Sequence, residues 1–287
     1  MTGWTRRRLV ATGAAAMAAP VWAGSTGPAL WEVRRGEARV LLFGDGGPLR
    51  TPWSSAPIEA AVRASGVFWK ETPDAGPEAF RLFLAKGVDP QRPLASWLTP
   101  DQHTRAIAAA ATVGLASATL ERFRPWLAGV VLDSSFRSRF GFKADNAPEH
   151  VLDLVARAAQ IPIRTEFPDE AAIVDYFAAL SNAAQVGELM RAVEDVEAGP
   201  DVAERRAEAW AAGDQRLSTR FVLGVRRAWP EYYEQLLAAR NRRWAVRFRA
   251  MLDGGGTSFV IVGDDHLAGP DSVLAELART GMPARRV

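Results

Sequence analysis

The sequence predicts an α/β (α+β) fold: a small mixed β-sheet with an N-terminal hairpin and a large helical insertion, in one domain. Three observations predict it. Short apolar runs rich in β-branched residues sit near both ends of the 287-residue chain. Amphipathic helical patterns fill the middle. The last fifth passes from a helix through Gly254-Gly-Gly256 into a strand that ends in a loop, as in a βαβ-type layered sheet.

Taken in order, Thr5-Arg-Arg-Arg-Leu-Val opens an Ala-rich apolar run, and Val21-Trp-Ala23 places small residues at the −3 and −1 positions of a cleavage site. Met1–Ala23 is therefore expected to be a signal peptide, with paired arginines that resemble a twin-arginine signal, which makes the protein exported, periplasmic or secreted. The alternative is a retained anchor, although the run is short for a bilayer span. The remainder, 24–287, is expected to form one domain with no stable membrane span. Leu30–Arg34 and Ala38–Phe43 are strand-like and separated by Arg35-Gly36-Glu37, which reads as an antiparallel hairpin. Gly44 to Trp53 is a Gly/Pro loop, Pro57–Ser65 a short helix, and Val67–Glu71 a third strand ending in a carboxylate. Thr99-Pro-Asp-Gln102 starts a helix, with Thr99 as N-cap, Pro at the first position and Gln at the third. Helical patterns continue to about Arg137, and Pro148–Gln160 follows as a further helix. Ile161–Glu166 reads as a second short strand with a terminal carboxylate. Pro168–Ser181, Pro200–Gly213 and Gln215–Arg227 read as helices. Tyr233, Leu236, Leu237, Trp244, Phe248 and Met251 share one helix face, and the polar pair Arg240 and Asn241 falls inside that stripe. A polar pair on a core face must find partners or line a cavity. Thr257–Val262 is a buried strand, with His266 in the loop beyond it.

Composition narrows the function. The chain has 35 Lys and Arg; Arg6, Arg7 and Arg8 belong to the leader, so 32 face 33 Asp and Glu. That balance gives no basis for nucleic-acid binding. With no cysteine there is no disulfide, thiolate nucleophile or Cys zinc site. Gly44-Asp-Gly-Gly47 lacks the Lys-Ser/Thr of a phosphate loop, and no Gly-x-Ser-x-Gly elbow occurs. The ten tryptophans are scattered and read as core packing rather than a sugar platform.

Arg240-Asn-Arg-Arg-Trp244, then a strand, then Gly263-Asp-Asp-His266-Leu-Ala-Gly-Pro-Asp271 resembles the carboxyl-terminal signature of the TraB/GumN family, which is related to the Tiki metalloproteases. Leu41-Leu-Phe-Gly44, Trp69-Lys-Glu71, Arg124-Pro-Trp126, Ala209-Trp-Ala-Ala-Gly-Asp214 and Trp229-Pro-Glu-Tyr-Tyr233 match in the same order, so the resemblance runs from about Leu30 to Val287. It implies a peptidase-like hydrolase: a Gly-x-x-His motif after an early strand, another near the end, and a glutamate after a neighbouring strand. Two imidazoles and a carboxylate can hold a divalent metal (Zn, Mn or Co) and leave a water site open.

The second motif is present as Gly263-Asp-Asp-His266, whereas Gly47 stands where the first histidine is expected. Glu71 matches the acidic position, which makes Glu71 and His266 the metal candidates. Glu71, Arg240 and Asn241 are the catalytic candidates, the last two as groups that orient carboxylates. Asp45, Glu149 (in place of an aspartate of the relatives) and Glu166 are further cleft candidates. Glu71, Glu166, Arg240, Asn241 and His266 are expected to surround one cleft near Gly44–Gly47. His103 and His150 read as surface helix residues. Two functions stay open: a metal-dependent hydrolase acting on a polypeptide with an altered site, or a non-catalytic periplasmic binding protein that holds no metal.

Overall fold

Why the strands near the chain ends can share one sheet is clear from their alternation. Leu41 and Phe43 point to one side with Phe259 and Ile261, while Val40 and Leu42 point to the other with Val260 and Val262. The computed structural model describes residues 27–287 except 75 and 77. The expected signal peptide lies outside the described residues.

In chain order the elements are β1 (Leu30–Arg35), β2 (Ala38–Asp45), α1 (Ala56–Arg63), β3 (Val67–Lys70), α2 (Ala79–Gly87), α3 (Pro100–Val113), α4 (Ser117–Leu120), α5 (Pro125–Arg139) and α6 (Pro148–Ala158). Then come β4 (Ile163–Thr165), α7 (Glu170–Ala178), α8 (Asn182–Ala198), α9 (Pro200–Ala211), α10 (Arg216–Ala228) and α11 (Pro230–Tyr232). The last of these runs through a π turn at Tyr233–Ala238 into α12 (Ala239–Gly254). β5 (Thr257–Gly263), α13 (Val273–Arg279) and β6 (Arg285–Arg286) complete the chain.

The six strands form one mixed sheet in the order β4-β3-β5-β2-β1-β6. β2, β5, β3 and β4 run parallel to their neighbours, and β1 is antiparallel to β2 and β6. The hairpin predicted at the N-terminus is therefore the antiparallel flank of a parallel centre. The central strands are apolar on both faces because both faces are covered. α1 and α6 cover one with Ile58, Val62, Leu152 and Ala156. α12 and α13 cover the other with Trp244, Phe248, Val273 and Leu277.

The helical insertion has its own core, in which α3, α5 and α8 pack around Trp126, Leu132, Met190 and Val193. A second cluster joins α8 and α10 to Tyr232, Leu236 and Leu237. The start of α3 has the predicted capping box: the Gln102 amide donates to Thr99 Oγ1 at 3.3 Å, and the Thr99 amide donates to Gln102 Oε1 at 3.0 Å.

Several elements differ from the expectation. β3 ends at Lys70 and β4 at Thr165, so Glu71 and Glu166 stand just beyond their strands. No helix is expected from the sequence over 182–198, yet α8 fills that stretch with 17 residues. Nine of its residues are buried, Gln185 and Glu188 among them, so no clean apolar stripe marks it. β6 has only two residues and was equally unmarked. No helix among the described residues is long and apolar enough to cross a membrane.

Candidate functional site

β2 and β5 are parallel neighbours, and Asp45 at the end of one faces Gly263 at the end of the other. Both lie at the carboxyl edge of the sheet, where ligands of open α/β folds bind. Glu71 follows β3 at the same edge, and Glu166 follows β4. The two are stitched side by side by main-chain bonds from Glu166 N to Lys70 O (2.9 Å) and from Phe167 N to Glu71 O (3.2 Å).

α12 enters from below. The π turn before it inserts an extra residue in the helical path, and both members of the pair Arg240 and Asn241 are buried, like Leu236 and Leu237 one turn earlier. Arg240 Nη2 lies 3.0 Å from Glu71 Oε2, and the same guanidinium holds Glu166 through Nε at 3.2 Å and through Nη2. Asn241 Nδ2 donates to the Asp271 carbonyl at 2.7 Å. Its Oδ1 is thereby left as an acceptor, 2.6 Å from His266 Nδ1. The imidazole therefore carries a proton on Nδ1. Its Nε2 faces Glu71 Oε1 at 3.3 Å. The Gly263 amide donates to that same oxygen at 2.9 Å.

Each predicted residue can now be placed. Glu71, Glu166, Arg240, Asn241 and His266 come together in one network but, against expectation, do not surround a cleft: His266 and Asn241 are each 2% exposed. The open cleft nearby, of about 280 Å³, is lined instead by Asp45, Gly47, Arg137, Trp210, Asp264 and others. None of the five network residues lines it, because the turn at Gly263–His266 folds over them and presents Asp264 and Asp265 to the cleft. His150 is exposed at the start of α6, while His103 is half-buried and bonded to Glu121.

Electrostatics separate two groups of carboxylates. Burial pushes the Glu71 carboxyl up, but Arg240, His266 and the Gly263 N–H outweigh it and leave it at about 2. Asp45 and Glu149 have no such partner. Burial raises Asp45 to about 6, against the amides of Glu149 and Gly47 and with the help of the Glu71 charge. Burial raises Glu149 to about 8, reinforced by Asp45 and Glu71 and opposed by Lys70. The two are adjacent, since the Glu149 amide donates to Asp45 Oδ1 at 3.3 Å.

The family model of the TraB/PrgY/gumN family matches residues 29–286, nearly the whole described chain. The chain belongs to the TraB/PrgY/gumN family. The curated proteins and the solved structures hold no match to it.

Two residues at this TraB/PrgY/gumN cleft escaped the sequence reading. Asp264 is pushed to about 6 by burial, opposed by the Ser218 hydroxyl that donates to it and aided by Asp265. Trp210 donates from Nε1 to the Gly44 carbonyl at 2.8 Å and walls the cleft. Both stood inside the matched segments, Gly263-Asp-Asp-His266 and Ala209-Trp210, but neither carries a metal-ligand or triad spacing that marks it.

Gly47 has φ +77°, and the nearest atom to an added Cβ is Arg137 Nη1 at 3.5 Å. There is space for a side chain there, but in a left-handed backbone that strains any residue with a Cβ. Among the described residues no group of three His, Asp or Glu side chains is placed to hold a metal ion.

Proposed function

We propose that this protein is an exported member of its family whose Tiki-like hydrolase centre is altered, and that it acts by binding a polypeptide in the cleft at the sheet's carboxyl edge. One observation carries the reading: both oxygens of Glu71 are already engaged, one by Arg240 and the other by the Gly263 amide. A carboxylate neutralised in this way is a poor metal ligand.

The donor set does not fit a catalytic metal. His266 Nε2 and Glu71 Oε1 are close enough to share an ion, but catalytic zinc uses three protein ligands, and Gly47 supplies none. In this reading Arg240 and Asn241 are positioning residues: they hold Glu71, Glu166 and His266 in place beneath the cleft.

A second reading, a hydrolase, is favoured by Asp45 and Glu149. Two adjacent carboxyls raised to about 6 and about 8 are suited to pass protons near neutral pH. Calorimetric titration with zinc, manganese and cobalt separates the two. The binding reading expects no tight stoichiometric binding by the wild type. Tight binding that His266→Ala abolishes overturns that reading in favour of the metal hydrolase. Cleavage of a fluorogenic peptide library that Glu149→Gln abolishes establishes the acid–base alternative.

A further inference from the structure

A second cavity, of about 290 Å³, opens on the far side of the Arg240–Glu166 ion pair and is lined by Glu166, Phe167, Tyr176, Arg243, Trp244 and Arg247. Its charges do not balance. Glu166 is taken up by Arg240. Arg243 is 3.9 Å from Glu166 and reaches the Tyr176 hydroxyl only at 3.4 Å, both too long for a firm bond.

Arg247 has no ion pair and no hydrogen bond among the described residues, and its Nη1 is buried without a partner. The guanidinium sits 5.1 Å from the centres of the Trp69 and Trp244 rings, which supply cation–π attraction but no acceptor. Burial, offset by Glu166 and reinforced by Arg243, holds its pKa below the ordinary range. A buried guanidinium donor with no acceptor is costly, and such groups are rare where nothing binds them.

The walls define what would bind. Phe167 and Tyr176 pack at 5.3 Å between centroids and form the aromatic wall. Two arginines with aromatic walls suit a planar oxyanion on an apolar stem, because guanidinium forks match carboxylates. The volume lies at the small end of ligand sites and suits a ligand of one aromatic ring.

We infer that this cavity binds a small aromatic carboxylate, with Arg247 and Arg243 holding the carboxylate and Phe167 and Tyr176 packing the ring. The inference does not depend on the reading of the cleft at Asp45.

Calorimetric titration of the full chain with phenylacetate, and separately with inorganic phosphate, tests the inference. One site for phenylacetate is expected, with phosphate weaker. Arg247→Met, which keeps the apolar stem between the tryptophans, is expected to weaken phenylacetate binding about tenfold or more, the scale of a charge-assisted bond. Arg243→Gln, on a half-exposed side chain, is expected to do the same and serves if Arg247→Met fails to fold. Arg249→Gln, on the same helix but outside the cavity, is expected to leave affinity unchanged. No phenylacetate binding by the wild type overturns the inference, as does equal weakening in all three variants. Phosphate binding tighter than phenylacetate overturns the carboxylate assignment.

Discussion

Arg240 is the residue on which the buried network turns. It pairs with Glu71 and Glu166 together, and all three side chains are largely out of solvent. Arg240→Met removes the one guanidinium that both carboxylates bond, so a loss of roughly 3–5 kcal/mol is expected in urea unfolding at neutral pH. Adding Glu166→Gln should recover part of that loss, because one of the stranded charges is gone. No recovery would mean that Arg240 acts through packing alone. The two groups of carboxylates also predict opposite pH responses. Glu71 titrates at about 2 against an ordinary 4.5, so its contribution is full above 4.5 and is lost as pH falls toward 2. Glu149 is raised to about 8 from 4.5, so its contribution is full below 4.5 and is lost as pH rises through 8. Thermal melts at pH 5 and pH 8 check this: the melting temperature of Glu149→Gln should fall less between the two than that of the wild type. An identical fall in both would remove Glu149 as the source.

At the scale of the element, the loop after β2 is shaped by two adjacent glycines with different reasons for being glycine. A Cβ on Gly46 would stand 2.6 Å from the Trp210 ring, whereas Gly47 has space and a left-handed backbone. Gly46→Ala is expected to cost roughly 1–3 kcal/mol through overpacking. Gly47→Ala is expected to cost about 1 kcal/mol through backbone strain. Urea midpoints of the two variants should rank in that order, and the reverse ranking would place Trp210 away from the loop. Gly47→His carries the same strain and stands beside Arg137, a cation that opposes a metal ion. A histidine there is therefore expected to improve zinc binding by calorimetry only if the loop shifts toward His266. The π turn before α12 matters for the same reason as the glycines: it fixes which backbone positions face inward, and so buries Arg240 and Asn241 as a pair.

For the whole molecule, the sheet supplies the cleft's edge and the helical insertion its wall, through Arg137 on α5, Arg191 on α8 and Trp210 on α9. The protein that reaches its working compartment is expected to lack Met1–Ala23. Mass spectrometry of the mature N-terminus checks this, and a stable periplasmic product that starts at Met1 would count against cleavage. Replacing Arg6 and Arg7 together by Lys should abolish export by the twin-arginine route; unchanged secretion would exclude that route.

The strands other than β6, the hairpin, the capped start of α3 and the family were legible in the sequence because each rests on short-range pattern: alternation, turn residues, a capping box, an ordered set of motifs. Glu71, Glu166 and His266 could be placed near one another on the same grounds, since each follows a strand and parallel strands end at a common edge. What the sequence could not decide is how those groups spend their charge. That Arg240 occupies Glu71 and Glu166 at once, and that Asn241 fixes His266 from beneath, depends on an extra residue in the π turn, 160 and more residues of chain away from Glu71. Tertiary structure alone also left Asp45, Glu149 and Arg247 without a direct ion pair among the described residues. The physical reason is common to all of them: a side chain's protonation and ligand-binding capacity are set by burial and by neighbours within a few ångströms, and in this fold those neighbours come from distant segments.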